Sequence, residues 1–331
     1  MRHFFLIIVV AFIIIAGGLA VSGWWLLTAP VTPPAAVSLD VTPGSSLQRV
    51  ARKLEEQGVI SHTLLLRILA KWHDQEQQIQ AGRYTFTVPA TPGDILERLV
   101  RGDVDKVSLT IPEGYTLQQI IEEIDEAGYG EGDKLWQLAH DPEFIASLGI
   151  KADSLEGYLF PETYRFVPGT SEAGLLRMMV EQFRRTLSPE KQEAARRLGL
   201  SLHQHVTLAS LIEKETGVVD EMPLISSVFH NRLAINMRLQ TDPTVIYGVD
   251  DYSGFITRRH LNTPTPYNTY IIYGLPPGPI ASPGRAALHA AVFPEETDYY
   301  YFVSRGDGSH HFSRTLREHN NAVQKYLRNR R

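Results

Sequence analysis

The residues best placed for chemistry are two glutamates in the run Leu208-Ala209-Ser210-Leu211-Ile212-Glu213-Lys214-Glu215-Thr216. Leu208, Leu211 and Ile212 stand at i, i+3, i+4, which predicts a helix with those side chains on its core face. Glu213 falls on another face, with Ala209 and Ser210 before it and Thr216 and Gly217 after it. Every helical neighbour of that carboxylate is small, so the spacing reads as a single acid projecting into a cleft floored by a helix. The chemistry open to one carboxyl group there is proton transfer. Glu215 is the rival. It follows Leu208 by seven residues and continues the apolar stripe, which predicts a buried carboxylate that pairs with an Arg, Tyr or Asn and shapes the site. The competing reading is a solvated Glu at a helix end.

Polar and aromatic groups that could serve such an acid follow. Gln240, Thr241 and Asp242 precede Pro243, which forces an extended or turn conformation on Asp242. Asp242 is expected to cap the helix beginning at the proline, and Gln240 to contact a ligand. Tyr267, Asn268 and Tyr270 are expected to form a patch that stacks on sugar rings and binds amides. Loop packing is the alternative for that trio. His310, His311, Glu318 and His319 have no zinc spacing, so no metal is expected, nor any cofactor. A hairpin turning at Gly306-Asp307-Gly308, followed by a helix over 317–327, is predicted instead.

The run L-A-S-L-I-E-K-E-T is followed by Ser227-Val228-Phe229-His230-Asn231-Arg232-Leu233 and by Arg238-Leu239-Gln240-Thr241-Asp242-Pro243-Thr244-Val245-Ile246-Tyr247-Gly248. Tyr267-Asn268-Thr269-Tyr270 and the stretch Gly274 to Ile280 come next. In this order the motifs resemble the endolytic murein transglycosylase family, also called YceG-like, from about residue 38 to the C-terminus. The resemblance implies a lyase that cleaves the bond between N-acetylmuramic acid and N-acetylglucosamine in nascent peptidoglycan and leaves 1,6-anhydro ends, terminating strand elongation. One acid would protonate the leaving oxygen and then take the proton of the muramyl C6 hydroxyl. That nucleophile is tethered to the substrate, so proximity replaces the second carboxylate of an ordinary glycosidase. Motif position and the small-residue face assign the acid to Glu213. Glu215, Gln240, Thr241, Asp242, Tyr267, Asn268 and Tyr270 form the expected substrate-binding set. The resemblance also implies association with penicillin-binding proteins. Two other classes compete: a non-catalytic peptidoglycan-binding adaptor of cell-wall synthases, and a hydrolytic muramidase using Asp242 or Glu215 as second carboxylate.

The elements that must position these groups begin with an apolar segment. Phe4 to Leu27 carries no charge, Arg2 precedes it, and no Lys, Arg, Asp or Glu follows until Asp40. That predicts one transmembrane helix over 4–27, with residues 1–3 cytoplasmic and the rest exported to the periplasm, so that the protein sits in the inner membrane as a single-pass chain. A cleaved signal would have a shorter apolar region and a small-x-small site. Pro30, Pro33 and Pro34 mark 28–38 as a stiff linker. The absence of cysteine excludes disulfides, thiolate metal sites and a cysteine nucleophile, and the net charge of -5 argues against nucleic acid as partner.

Two segments then repeat. Gly44, Leu47, Leu54 and Gly58 match Gly114, Leu117, Ile124 and Gly128 at one offset. Each copy has a Pro-Gly or Pro-x-Gly turn feeding an apolar-striped helix stopped by Gly, and Thr116 with Gln119 has capping-box spacing. Arg83-Tyr84-Thr85-Phe86 before Ile95 pairs with Thr163-Tyr164-Arg165-Phe166 before Leu175, each read as a strand leading to a helix. The first copy resembles a LysM module. The expected class is α+β: the membrane helix, a LysM-like domain over 39–107, a second repeat unit and connection over 108–200, and a mixed α/β catalytic domain over 201–331.

Overall fold

The structure, a computed structural model, describes residues 2–249 and 252–328, and the side chains of 13–18, 21–249 and 252–327 among them. The chain divides into two compact units, residues 1–107 with 165–169, and residues 108–164 with 170–331. The mixture of helices with three two-stranded sheets is the α+β class expected.

The first unit opens with α1, Arg2–Thr28. The expected segments 1–3 and 4–27 fall partly on residues outside the description. Among the described residues no helix is long and apolar enough to cross a membrane. The proline segment does not stand free of the first unit, because Val31 forms an antiparallel bridge with Ala90. Next come β1 (Val37–Val41), α2 (Leu47–Glu56), α3 (Thr63–Trp72), β2 (Gly82–Phe86) and α4 (Pro92–Arg101). β1 and β2 pair antiparallel with Leu39 opposite Tyr84. Their alternate side chains bury Leu39, Val41, Tyr84 and Phe86 against Val50, Leu54, Leu66, Ile95 and Leu99 from the helices.

The plan recurs further along the chain with β3 (Val107–Thr110), α5 (Leu117–Glu126), α6 (Gly132–His140), α7 (Pro142–Ser147), β4 (Thr163–Phe166) and α8 (Glu172–Thr186). Thr110 and Thr163 share a hydroxyl hydrogen bond of 2.9 Å across the β3–β4 sheet. The duplication is visible in the backbone: Gly44 and Gly114 have φ of 77° and 75°, and Gly58 and Gly128 both have 72°. An L side chain rarely adopts that conformation, which is why glycine recurs at one offset. The capping box predicted for Thr116 and Gln119 is present.

Beyond the repeat lie α9 (Pro189–Arg197), α10 (Leu202–Glu215), a 3-10 turn (Val219–Glu221), α11 (Met222–Ala234), α12 (Asp242–Tyr247), α13 (Arg258–Asn262) and α14 (Arg285–Ala290). The predicted hairpin follows as β5 (Tyr301–Ser304) and β6 (His310–Ser313), then α15 (Leu316–Val323) and a π turn (Gln324–Arg328). α10 is the centre of this region. Leu208, Leu211 and Ile212 are fully buried as its core stripe, and α11, α12 and α14 pack on it.

Candidate active site

α10 starts at a full capping box, Ser201 with Gln204, and ends at Glu215. Glu213 and Glu215 are two residues apart, about 200° around the axis, so they leave the helix on opposite faces. The two faces differ completely.

The small-residue face is covered by backbone. Ser210 Oγ accepts the Ile280 amide at 3.1 Å, and Glu213 Oε2 accepts the Gly284 amide at 2.9 Å. The loop over 276–284 therefore lies along the helix where the sequence suggests a groove. The turn of the second repeat closes in as well. Gly114 donates to the Ser282 carbonyl, and the Lys214 ammonium donates to the Gly114 carbonyl. The Glu113 carboxylate lies against Gly284, where a Cβ would stand 1.9 Å from its Oε1. Small side chains beside Glu213 admit a loop and a turn, whose own amides need acceptors. Burial pushes the Glu213 carboxyl pKa up, the Glu113 charge adds to that, and the Gly284 N–H opposes it.

The Glu215 face opens on a cavity of about 350 Å³, lined by Glu215, Arg232, Gln240, Asp242, Tyr270, Tyr301, Phe302, Leu316 and His319. That volume lies within the range of small-ligand sites. The carboxyl of Glu215 is enclosed. Burial pushes its pKa up to about 7, helped by the charge of Asp242 and opposed by the Thr241 hydroxyl bond and the Arg232 charge. Arg232 is held by three carbonyls, donating from Nε to Tyr300 at 2.6 Å and from Nη1 to Leu239 at 2.5 Å and to Arg238 at 3.4 Å. Its guanidinium also lies 5.4 Å from the Tyr301 ring centre. Tyr270 donates its hydroxyl to Asp242 Oδ1 at 2.6 Å. The Nδ1 of His319 is buried with no hydrogen-bond partner among the described residues, while its ring stacks 5.3 Å from Tyr301.

Of the expected set, Glu215, Gln240, Asp242 and Tyr270 meet in this cavity. Asp242 is not the cap: α12 begins at Asp242 itself with Thr241 before it, so the carboxylate sits one position too late and takes the Tyr270 hydroxyl instead. Thr241 is buried and acts on Glu215, and a network with Thr244 and Thr269 fixes it from behind. Gln240 reaches the cavity from a left-handed backbone, φ 49°, with its amide on the Thr269 carbonyl. Asn268 is a fully buried loop pin, donating to the carbonyls of His260, Leu261 and Thr263 and accepting from the Tyr270 amide. Tyr267 packs on Tyr247, ring centres 4.8 Å apart, rather than lining the Glu215 cavity.

Sequence reasoning missed Arg232 and the wall made by Tyr301, Phe302, Leu316 and His319. Arg232 carried a readable signal. Ile225, Val228, Phe229 and Arg232 follow at i, i+3, i+4, i+7, a cation ending an apolar stripe as Glu215 ends that of α10. The wall has no such signal, since the hairpin and α15 are distant in sequence.

A third buried carboxylate, Glu156, binds the start of α5. Both its oxygens accept the Leu117 amide, at 3.0 and 3.1 Å, and Oε2 also accepts the Tyr247 hydroxyl. Burial pushes it up to about 7 against those bonds. A larger cavity of about 890 Å³ lies along α11 beside residues 294–299, but its carboxylates Glu295, Glu296 and Asp298 stand in solvent. Enclosure of an acid, more than volume, marks the smaller cavity.

Comparison with known proteins gives the family of the chain. The YceG-like family model matches residues 39–325. An endolytic murein transglycosylase of Bacillus subtilis is 35% identical, over 88% of this chain and 85% of its own length. One from Streptococcus pneumoniae is 28% identical over 88% of this chain, which spans only 58% of that longer protein. A crystal structure of a YceG-like protein from Listeria monocytogenes superposes with a TM-score of 0.60 at 33% identity, over 86% of this chain and 98% of that one. The chain belongs to the YceG-like family.

Proposed function

We propose that this protein is a lytic transglycosylase of peptidoglycan and that Glu215, rather than Glu213, is its acid and base. One observation carries the reading: the Glu215 carboxyl is enclosed in a cavity bounded by Arg232, Gln240, Asp242 and Tyr270, with its pKa pushed up to about 7. An acid so tuned is protonated often enough at neutral pH to give its proton to the glycosidic oxygen. Arg232 then stabilises the carboxylate that remains. That carboxylate takes the proton of the muramyl C6 hydroxyl, which attacks C1 and closes the 1,6-anhydro ring. The bond to N-acetylglucosamine breaks as its oxygen receives the first proton, so the acid is regenerated without water. Gln240 and Tyr270 offer hydrogen bonds to sugar hydroxyls and acetamido groups. Glu213 holds the 276–284 loop on the back of α10 through the Gly284 amide, and Lys214 holds the Glu113–Gly114 turn there.

The uncharged run Phe4–Leu27 behind Arg2 supports a membrane anchor, with the C-terminal units in the periplasm near emerging strands and their synthases. The names of the relatives support endolytic cutting. A hydrolytic reading has one observation in its favour, Asp242 in the same cavity as Glu215. Incubation with uncrosslinked glycan strands and mass spectrometry separates the outcomes. Anhydromuramyl ends are expected; reducing ends would make the protein a muramidase, and intact strands an adaptor.

A further inference from the structure

The apolar surface of the first unit carries a second reading, about what the unit rests on. On α3, Leu64, Ile68 and Trp72 recur at i, i+4, i+8 and are 61%, 43% and 76% exposed. The opposite face of the same helix is buried through Leu66 and Ala70. The stripe is therefore not the core face turned outward but a second apolar face, which the described residues leave uncovered.

Its charges have one sign. The only ionised side chains on α3 are Arg67 and Lys71, and helical spacing puts both beside Leu64 on the exposed side. Glu55 meets the N-terminus of the helix and is engaged there by the Thr63 amide at 2.9 Å. An exposed stripe of Leu, Ile and Trp with a basic flank is the pattern of a helix lying in a lipid interface, where a Trp ring sits at headgroup level and long cations reach anionic phosphates.

The chain also holds this unit close to where α1 ends. α1 stops at Thr28, and Val31 is already bonded to Ala90 in both directions, its N–H donating at 2.9 Å and its carbonyl accepting at 3.1 Å. Two intervening residues cannot span more than a few ångströms beyond their own length, about 3.5 Å each. Val88, two residues before Ala90, is 65% exposed and adds an apolar side chain beside that junction.

We infer that the Leu64–Ile68–Trp72 face of α3 docks on an anionic lipid surface, seating the first unit on the membrane that α1 enters. The inference rests on the anchor reading above. Its use would be to fix the height of the unit over the bilayer.

The chain has no cysteine, so single-cysteine labelling of the full chain is clean. The probe is a bimane at Ile14→Cys in α1, at Ile68→Cys on the stripe, or at Arg52→Cys on exposed α2, in vesicles of phosphatidylethanolamine and phosphatidylglycerol carrying doxyl lipid. Quenching is expected at positions 14 and 68 and not at 52, with the loss at 68 reduced in phosphatidylcholine alone. Quenching at 14 without quenching at 68 would overturn the docking surface and leave the anchor standing. No quenching at 14 would overturn the anchor and the docking surface together.

Discussion

The two faces of one helical turn, that of Glu213 and that of Glu215, make a controlled comparison. Both are half-buried glutamates of α10 with raised pKa values, both accept a hydrogen bond from a neighbouring segment, and they differ in what stands in front of them. Glu213 meets the backbone of Gly284 and the acid of Glu113. Glu215 meets a cavity with a fixed cation on one side and a tyrosine–aspartate pair on the other. The difference teaches that small residues around a helical acid make room for backbone before they make room for a ligand. The acid that continues the apolar stripe is the more enclosed of the two, and a carboxyl must lose water to hold a proton near neutral pH.

The sharpest way to break the comparison is to remove the cation. Arg232→Ala leaves the carbonyls of Tyr300 and Leu239 without their donor and Glu215 without its counter-charge. A destabilisation of about 3–5 kcal/mol is expected, as for a buried charge deprived of its partner, read from urea unfolding. A change below 1 kcal/mol, about the value of a surface pair, would mean that the Glu215 side is solvated and no more special than the other.

The pH dependence of stability comes next. Glu156 is raised from 4.5 to about 7 in the folded protein. The protonated form is the one the fold favours, so its contribution is complete below about pH 4.5 and is lost as pH rises through 7. That loss is about 3 kcal/mol for this shift. Glu215 titrates in the same direction and window. Buried His205, His230 and His319, whose pKa values burial pushes below 6.5, titrate with the opposite sign over part of that range, so the measurement is a difference: wild-type stability relative to Glu156→Gln should fall between pH 5 and 7, with glycan cutting left in place. A wild-type protein whose stability relative to Glu156→Gln is flat or rises over that interval would contradict the burial of this acid.

A smaller effect sharpens the contrast within the cavity. Tyr270→Phe removes the hydroxyl held by Asp242, and kcat/KM should drop about tenfold, near 1.4 kcal/mol, for one lost hydrogen bond to a charged group. Unfolding should change by less. The reverse result, lost stability with full activity, would make the tyrosine–aspartate pair a brace and deprive the Glu215 side of its functional meaning.

Much of this was legible in the sequence where a local period or a backbone conformation decides the outcome. The glycines at 44, 58, 114 and 128 announced the duplication, because each occupies the left-handed region. Leu208, Leu211 and Ile212 announced the core face of α10. What was illegible depends on contacts between distant segments. The 276–284 loop closing on Ser210 and Glu213 spans about seventy residues, and nothing in the helix distinguishes a face awaiting a loop from one awaiting a glycan. Asn268 looked like an amide-binding side chain, yet three backbone carbonyls consume its donor. His319 completes the cavity wall, while His310 pairs with Glu221 at 2.7 Å, and no local period in the sequence separates the two.

The central claim, that the acid is on the open face, is tested most directly by counting anhydromuramyl ends released from uncrosslinked glycan strands by Glu215→Gln and Glu213→Gln side by side. Glutamine keeps the shape of either side chain and cannot transfer the proton. Glu215→Gln should lose on the order of 10²–10⁴-fold or more in rate, the value of a general acid–base group, while Glu213→Gln should still accept the Gly284 amide and cut at close to the wild-type rate. A dead Glu213→Gln beside an active Glu215→Gln would contradict the account and return the chemistry to the face that the loop now covers.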